Sequence, residues 1–190
     1  GSQRPVSLFV RQLNMMKSPA VAGEVIKETH RLSSKGPFLW LLQEPPVYFN
    51  KPSGLRHPLY VGNNPRACIM ADPRLQIAVD AKYSSKDCIV CRWKPPEPIQ
   101  GHRELFLISL YWPHDIPDPP EGFSTLLEEA HDLGVPLIVG ADSNGHSTLW
   151  GSTLDNSRGL RFEETVVFPY NFDVLNCGEE PTYVSGRFAT

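Results

Sequence analysis

The sequence has no apolar run approaching the roughly 20 residues that a membrane-spanning helix needs, and no secretory signal opens it. It also lacks a strong charge excess, since the formal net charge is -3. The broad basic surface typical of many nucleic-acid-binding domains is therefore absent, although a local basic rim can coexist with acidic metal ligands. Hydrophobic residues make up 41% and charged residues 21%, which is typical of a globular protein and predicts no membrane partner.

Cysteine is scarce, with four residues at positions 68, 88, 91 and 177. Cys88 and Cys91 form a C-x-x-C pair inside the strand-like segment DCIVCRW, where side chains three residues apart face opposite sides. No second pair accompanies them, so a closed zinc site lacks ligands. We interpret all four as structural thiols, and an intracellular, reducing compartment fits them best.

Two common catalytic motifs are also missing. There is no Gly-rich phosphate loop with a lysine, and there is no G-x-S-x-G elbow. Proline is abundant instead, with 19 residues whose clusters separate apolar runs as loops do. None of these clusters is long enough to link two domains. We predict one domain over residues 1–190, in which Gly1 and Ser2 are typical of a tag remnant on a fragment of something longer.

The stretch VPLIVGADSNGHSTLWGS at 135–152 has the densest group of candidate site residues. Its apolar run predicts a buried strand that ends in Asp142, Asn144 and His146. Alternate residues of an extended chain point the same way, so these side chains could share one face at the strand's carboxyl end. The same residues could equally form an Asx-rich turn that satisfies its own backbone. On this stretch alone both interpretations stay open.

Three other apolar runs end in polar groups of the same kind. VSLFVRQLN closes on Asn14, FLWLLQ is followed by Glu44, and ELFLISLY ends at Tyr111. If these strands and the one before Asp142 lie side by side and parallel, their polar ends gather at one rim of a sheet. The groups are oxygen donors without cysteine, which favours Mg²⁺ or Mn²⁺.

Helix and hairpin signals complete the α/β pattern. Ser18 and Pro19 predict the start of an amphipathic helix, and FSTLLEEAHDLG predicts a second one. The segments RACIMAD, LQIAVDAKY and DCIVCRW predict three short strands joined as antiparallel hairpins.

Six motifs along nearly the whole chain follow one order and spacing. They are QLN at 12–14, LLQEPP at 41–46, SLYWPHD at 109–115, GADSNGHSTLWGS at 140–152, NSRG at 156–159 and PTYVSGRFAT at 181–190. In this combination the chain resembles the endonuclease domain of non-LTR (LINE-type) retrotransposons, with its closest likeness to R1 and TRAS-type elements. That domain belongs to the apurinic/apyrimidinic endonuclease-like superfamily, together with DNase I and inositol-polyphosphate phosphatases.

The resemblance implies a four-layer α/β sandwich of the DNase I-like type and metal-dependent nicking of a DNA phosphodiester. It implies that Glu44 is the metal carboxylate, with Asn14 beside it supporting the metal and phosphate. Tyr111 would lie against the scissile phosphate. Asp142 would manage a proton of the water or leaving group, and Asn144 would bind the phosphate and orient Asp142.

Three further residues are candidate DNA or phosphate contacts. His146 belongs to the retrotransposon version of the motif, but we assign it no specific role. Arg66 could meet a DNA phosphate or lie in a solvated loop, and Arg158 could contact phosphate, form a surface ion pair or tie the loop after the motif into place.

The resemblance also implies a parent polypeptide that contains a reverse transcriptase domain. Reverse transcription would then be primed in the nucleus from the 3′ hydroxyl that the nick exposes. The family continues with S-x-I-D and S-D-H motifs, which this chain does not reach before Thr190. We therefore expect the sandwich to lack its C-terminal strands and the 190 residues to be inactive or impaired unless a companion or swapped chain supplies them. A catalytically incompetent nucleic-acid-binding module and a phosphatase of the same fold stay open as alternatives.

Overall fold

A computed structural model of the protein describes residues 8–144, 157–170, 172–174 and 184–186. Within those ranges no helix is both long and apolar enough to cross a membrane. The strands are β1 (Phe9–Asn14), β2 (Phe38–Gln43), β3 (Val47–Tyr48), β4 (Lys51–Pro52), β5 (Ala67–Ala71), β6 (Ala78–Val79), β7 (Cys88–Trp93), β8 (Leu105–Tyr111), β9 (Leu137–Asp142), β10 (Asp173–Val174) and β11 (Val184–Gly186). The helices are α1 (Pro19–Ser33), α2 (Glu121–Leu133) and α3 (Ser157–Phe162), and a π-helical segment, Glu163–Val167, follows α3.

The first sheet has the strand order β1-β2-β5, with β1 and β2 parallel and β5 antiparallel to β2. Every residue of β2 is buried, because α1 covers one face of the strand and the second sheet covers the other. The predicted helix start is confirmed: Ser18 Oγ accepts a hydrogen bond of 3.3 Å from the backbone N–H of Val21, and Pro19 is the first helical residue.

The second sheet has the order β10-β11-β9-β8-β7-β6. Among the described residues, β8 and β9 are the one parallel pair of this sheet, and its other pairs are antiparallel. The predicted second helix is α2, which ends at a left-handed Gly134. Helix α2, α3 and the π-helical segment cover the outer face of this sheet through buried apolar side chains, among them Phe123, Leu126, Phe162 and Val166.

The inner faces of the two sheets pack against each other, with Leu39, Leu41 and Ile69 on one side and Ile89, Leu107 and Ile138 on the other. The layers therefore run helix, sheet, sheet, helix, which confirms the predicted four-layer α/β sandwich. Burial of apolar side chains in three adjoining cores supplies the main driving force for this arrangement.

Gly140 in β9 sets how closely the sheets approach near one end of this inner core. A Cβ added there would lie 2.6 Å from Leu41 Cβ and 2.8 Å from Gln12 Cγ, distances that real Cβ atoms essentially never show. Glycine is required at this position by space, and its absent side chain lets the sheets meet.

The predicted series of three hairpins is wrong in part. Only β6 and β7 pair as neighbours, whereas β5 pairs with β2 in the first sheet. The chain leaves the first sheet at Asp72, whose carboxylate caps a 3₁₀ turn, Pro73–Leu75, and it continues through a left-handed Gln76 into the second sheet. Local strand patterns do not reveal such a change of sheet.

The structural interpretation of the cysteines holds for three of the four. Cys68, Cys88 and Cys91 are free and buried. Burial raises the pKa of the Cys68 and Cys91 thiols to about 12, and it raises the pKa of Cys88 as well. Cys177 lies outside the described residues, as do His146 and Trp150.

Candidate active site

Four strand ends converge at one edge of the sandwich. In the first sheet Asn14 is in register with Gln43, the residue before Glu44. In the second sheet Tyr111 is in register with Asp142. The four strands do not lie side by side in one sheet: two parallel pairs lie in two sheets, and their carboxyl ends meet because the sheets stack face to face.

The amide of Asn14 links the two carboxylates of this edge. Its Nδ2 donates hydrogen bonds to Glu44 Oε2 at 3.0 Å and to Asp142 Oδ2 at 2.5 Å. Its Oδ1 accepts from the backbone N–H of Met16 at 2.7 Å, which fixes the orientation of the amide. Asn14 therefore positions one carboxylate from each sheet, and its own position depends on the turn that follows β1.

Glu44 takes a left-handed backbone conformation, with φ of 46°. Non-glycine residues rarely adopt it, at a cost of roughly 1–2 kcal/mol. Backbone hydrogen bonds of 2.8 Å hold it on both sides: its N–H donates to the Arg66 carbonyl, and its carbonyl accepts from the Lys17 N–H. Strain maintained by such contacts is common at functional sites.

The Tyr111 hydroxyl donates to Glu44 Oε1 at 3.2 Å. Burial raises the pKa of Tyr111, the negative charge of Glu44 adds to the rise, and a hydrogen bond from Asn144 opposes it. The phenol therefore keeps its proton at neutral pH. It is a neutral hydrogen-bond donor at a carboxylate edge.

Asp142 and Asn144 form an Asx turn, the second of the two interpretations of their motif. The Asn144 backbone N–H donates to Asp142 Oδ1 at 3.0 Å in an Asx turn, while Asp142 Oδ2 accepts from Asn14. The expectation that both side chains share an extended strand face is wrong, because β9 ends at Asp142 and Asn144 is left-handed with φ of 52°. The Asn144 side-chain amide instead donates to the Trp112 carbonyl at 2.8 Å.

Arg158 holds the loop after β8 against the loop after β9. Its guanidinium lies 4.1 Å from the centroid of the buried Trp112 ring. All five of its N–H groups donate to backbone carbonyls, those of Ser143, Trp112, Pro113, His114 and Ile116. Burial lowers the pKa of Arg158, but an arginine stays cationic at physiological pH. These contacts correspond to the loop-tying interpretation; a phosphate contact stays a prediction.

Arg66 is paired rather than free. It forms a bidentate salt bridge with Asp87, in which Nε donates to Oδ1 at 2.6 Å and Nη2 donates to Oδ2 at 2.7 Å. Its guanidinium lies 5.4 Å from the Tyr111 ring centroid. The hydrogen bonds to Asp87 raise the pKa of Arg66. Asp87 escaped sequence reasoning because it lies in a turn that is unremarkable in the sequence. Through Arg66 it fixes one side of Tyr111.

A buried amide network supports the site from below. Gln43 Nε2 donates to Ser109 Oγ at 3.0 Å and to the Gly140 carbonyl at 3.1 Å, and its Oε1 accepts from Gln12 at 2.5 Å. Ser109 donates to the Leu42 carbonyl at 2.6 Å. Sequence reasoning missed this network, although polar residues inside the apolar runs FLWLLQ and LFLISLY were the available signal.

The donor set fits a hard divalent cation in number and kind. Mg²⁺ is commonly held by one or two carboxylates, with water and substrate phosphate completing its shell. Glu44 and Asp142 provide two carboxylates, and neither forms an ion pair with a cation in the part of the chain that the structure describes. No group of three or more His, Cys, Asp or Glu side chains suited to a metal occurs among those residues.

Comparison with known proteins supports the fold. Neither a protein-family model nor a curated protein sequence matches the chain. Among solved structures, the endonuclease domain of TRAS1, a telomere-specific non-LTR retrotransposon, matches with a TM-score of 0.72 at 22% identity, over 94% of this chain and 84% of that one. The human Nocturnin catalytic domain with bound sulfate matches with a TM-score of 0.52 at 14% identity, over 93% and 81%. The protein therefore has the DNase I-like fold of a retrotransposon endonuclease domain, as its motifs implied.

Proposed function

We propose that the protein is the endonuclease domain of a non-LTR retrotransposon and that the Asn14–Glu44–Asp142 edge hydrolyses a DNA phosphodiester. The observation that carries this proposal is the single amide of Asn14 joined to two carboxylates from different sheets. Glu44 and Asp142, which form no ion pair with any described residue, create a negative site at the end of the sandwich. Such a site attracts a divalent cation, and the cation attracts a phosphate.

Glu44 is the proposed ligand of Mg²⁺ or Mn²⁺, with Asn14 supporting it. When bound, the cation supplies charge neutralisation for the phosphate oxygens. Tyr111 carries a neutral phenol and can donate a hydrogen bond to a phosphate oxygen. One oxygen of Asp142 accepts a hydrogen bond from the Asn144 N–H. The carboxylate of Asp142 accepts the proton of the attacking water, or, in its protonated form, the carboxyl group supplies its proton to the leaving oxygen.

The position of Asp142 depends on residues that need not touch DNA. Arg158 fixes the Ser143 carbonyl beside Asp142, and the Gln43 network fixes Gly140 two residues before it. We propose that these two residues position the catalytic groups. Displacements of about 1 Å are enough to lower a catalytic rate strongly, which makes such supports important.

In the parent element, the nick would expose a 3′ hydroxyl that primes reverse transcription by a domain of the same polypeptide. The site of action would then be nuclear, with DNA as the partner. The match to the endonuclease domain of a retrotransposon supports a nucleic acid as the substrate. A companion or swapped chain that supplies the S-x-I-D and S-D-H motifs belongs to the same proposal.

The test separates binding from cleavage. Binding of duplex DNA is measured on the 190-residue chain, and nicking of supercoiled plasmid is measured on a longer segment of the parent polypeptide, because the resemblance implies two further catalytic motifs. In the parent segment, Glu44→Gln and Asp142→Asn should each lower Mg²⁺-dependent nicking by at least about 100-fold while leaving DNA binding within a few-fold.

A matched control is Glu28→Gln, which alters a partly buried carboxylate on α1 that pairs with Arg31. It should leave nicking unchanged. Nicking that survives both site substitutions would show that the chemistry lies elsewhere. DNA binding without any nicking in the parent segment would favour a catalytically incompetent binding module.

A further inference from the structure

A small hairpin stands beside the candidate site and exposes two aromatic rings. Strands β3 and β4 pair antiparallel, beginning three residues after Glu44. Tyr48 and Phe49 at its tip are 68% and 79% exposed, and their ring centroids lie 4.4 Å apart in an edge-to-face arrangement. Neither ring gains the burial that normally stabilises an aromatic side chain.

The turn of this hairpin is strained. Phe49 and Asn50 both have positive φ, 48° and 63°, as two-residue hairpin turns require. Asparagine tolerates this conformation, but phenylalanine does so at a cost of roughly 1–2 kcal/mol. A residue that is both strained and exposed stabilises the fold poorly. Its position is better explained by a function at the tip.

The tip is held in place by backbone contacts. The Asn64 N–H donates to the Asn50 carbonyl at 3.1 Å, and the Ser53 N–H donates to the Pro46 carbonyl at 2.9 Å. These bonds connect the hairpin to the loop before β5 and close its base. The rings are thus presented on a supported element rather than on a free loop.

A groove with a volume of about 660 Å³ is lined by Glu44 and by residues of this hairpin. We call it the hairpin groove. Its lining includes Tyr48 of the hairpin and the basic residues Lys17, Arg66 and Lys86. Because Glu44 lines this groove as well as the candidate site, a chain of phosphates bound at the site would continue into the groove.

The charge of the hairpin groove favours a polyanion. Within the part of the chain that the structure describes, Lys17 and Lys86 form no ion pair with a carboxylate, and neither does Lys51 on β4. Three uncompensated ammonium groups around one hairpin contrast with a net charge of -3 for the whole chain. They form the local basic rim that an acidic protein needs in order to bind DNA.

Aromatic rings beside unpaired lysines are the combination that binds unstacked nucleotides. We propose that the hairpin groove binds the DNA strand flanking the scissile phosphate, with Tyr48 and Phe49 stacking on an unstacked base and Lys17 and Lys86 contacting backbone phosphates. This inference rests on the proposed function, since it takes DNA as the substrate. Purely apolar docking of another protein would leave the three lysines without partners.

The test measures DNA affinity of the 190-residue chain by fluorescence anisotropy and base stacking by the fluorescence of 2-aminopurine in the oligonucleotide. Tyr48→Ala and Phe49→Gly should each raise Kd by roughly 5-fold or more, because one stacked base contributes about 1–3 kcal/mol. Each should also reduce the 2-aminopurine fluorescence change. Phe49→Gly removes the ring and the backbone strain together, so a folding defect does not explain its loss of binding.

Phe168→Ala is the matched control, since that ring is 58% exposed and follows the π-helical segment on the outer layer of the second sheet. It should leave both signals unchanged. Lys17→Ala and Lys86→Ala should each reduce the slope of log K against log salt concentration by about 1.

Three outcomes would overturn the inference. In the first, the wild-type protein binds DNA, and Tyr48→Ala and Phe49→Gly have the same Kd as Phe168→Ala. This result would refute DNA binding by the hairpin groove and leave the proposed function standing. A wild-type protein that binds no DNA would refute both. Self-association abolished by Tyr48→Ala, with unchanged DNA affinity, would instead make the hairpin a contact between copies of the chain.

Discussion

The side chain of Gln43 donates a hydrogen bond of 3.1 Å to the carbonyl oxygen of Gly140, across the interface of the two sheets. Gln43 directly precedes Glu44, and Gly140 stands two residues before Asp142. One buried amide therefore sets the distance between the backbone segments that carry the two carboxylates. This relationship makes the interior beneath the site part of the site's geometry.

Substitution of Gln43 by methionine should destabilise the fold and impair the site. Methionine matches the length of glutamine but leaves the Gly140 carbonyl and the Gln12 amide without this partner. The free energy of unfolding should fall by roughly 1–3 kcal/mol, as measured by urea denaturation. Gln100→Met, in an exposed loop, serves as the control and should change it by less than about 0.5 kcal/mol. An unchanged midpoint for Gln43→Met would show that the network contributes little.

Gly140→Ala should separate the sheets. The new Cβ would lie 2.6 Å from Leu41 Cβ, so the backbone or the leucine must shift, at a cost of roughly 1–3 kcal/mol. Gly23→Ala provides the matched control: nothing lies within 4 Å of its added Cβ, and alanine favours a helix by roughly 0.5–1 kcal/mol. The midpoint of thermal unfolding should therefore fall in Gly140→Ala and rise in Gly23→Ala. Equal shifts would contradict the packing argument.

Arg158→Met should weaken the loop that carries Asp142. It removes five hydrogen bonds to carbonyls, and unfolding free energy should fall by roughly 1–3 kcal/mol with a parallel loss of nicking in the parent segment. Arg161→Met is the control, because its partner Asp118 is exposed and such surface pairs contribute about 0–1 kcal/mol. If Arg158→Lys retained full nicking, the fork-shaped guanidinium would not be required.

The buried thiols should react only when the protein unfolds. In a Cys177→Ser background, Cys68, Cys88 and Cys91 should resist a thiol reagent at pH 8 and react at the rate of unfolding in urea. Rapid labelling of the native protein would contradict their burial.

The same thiols predict a pH dependence of stability. Burial raises the pKa of Cys68 and Cys91 to about 12, above the roughly 8.5 of an unfolded thiol. Their contribution to the free energy of unfolding is therefore complete at pH values below the pKa of the unfolded thiol. It is lost as the pH rises toward the pKa of the thiol in the folded protein. Urea midpoints measured from pH 8 to 10.5 should fall with pH, and the decline should be smaller in Cys68→Ala.

Some features followed from the sequence because they are local. The run FLWLLQ predicts a strand buried on both faces, and Ser18 and Pro19 predict a helix start, because hydrophobic period and capping chemistry act between near neighbours. The polar residues that end the apolar runs, Asn14, Glu44, Tyr111 and Asp142, could be identified for the same reason. The order of the motifs then predicted the fold.

Only the tertiary structure decided how those ends meet. The sequence alone left open how the four strands lie relative to one another; two parallel pairs in stacked sheets bring Asn14 to both Glu44 and Asp142. The change of sheet after β5, the left-handed turn at Asn144 and the partners of Arg66 and Gln43 depend on contacts between residues far apart in the chain. Side-chain periodicity records which face of an element is buried, and it contains no information on which element covers that face.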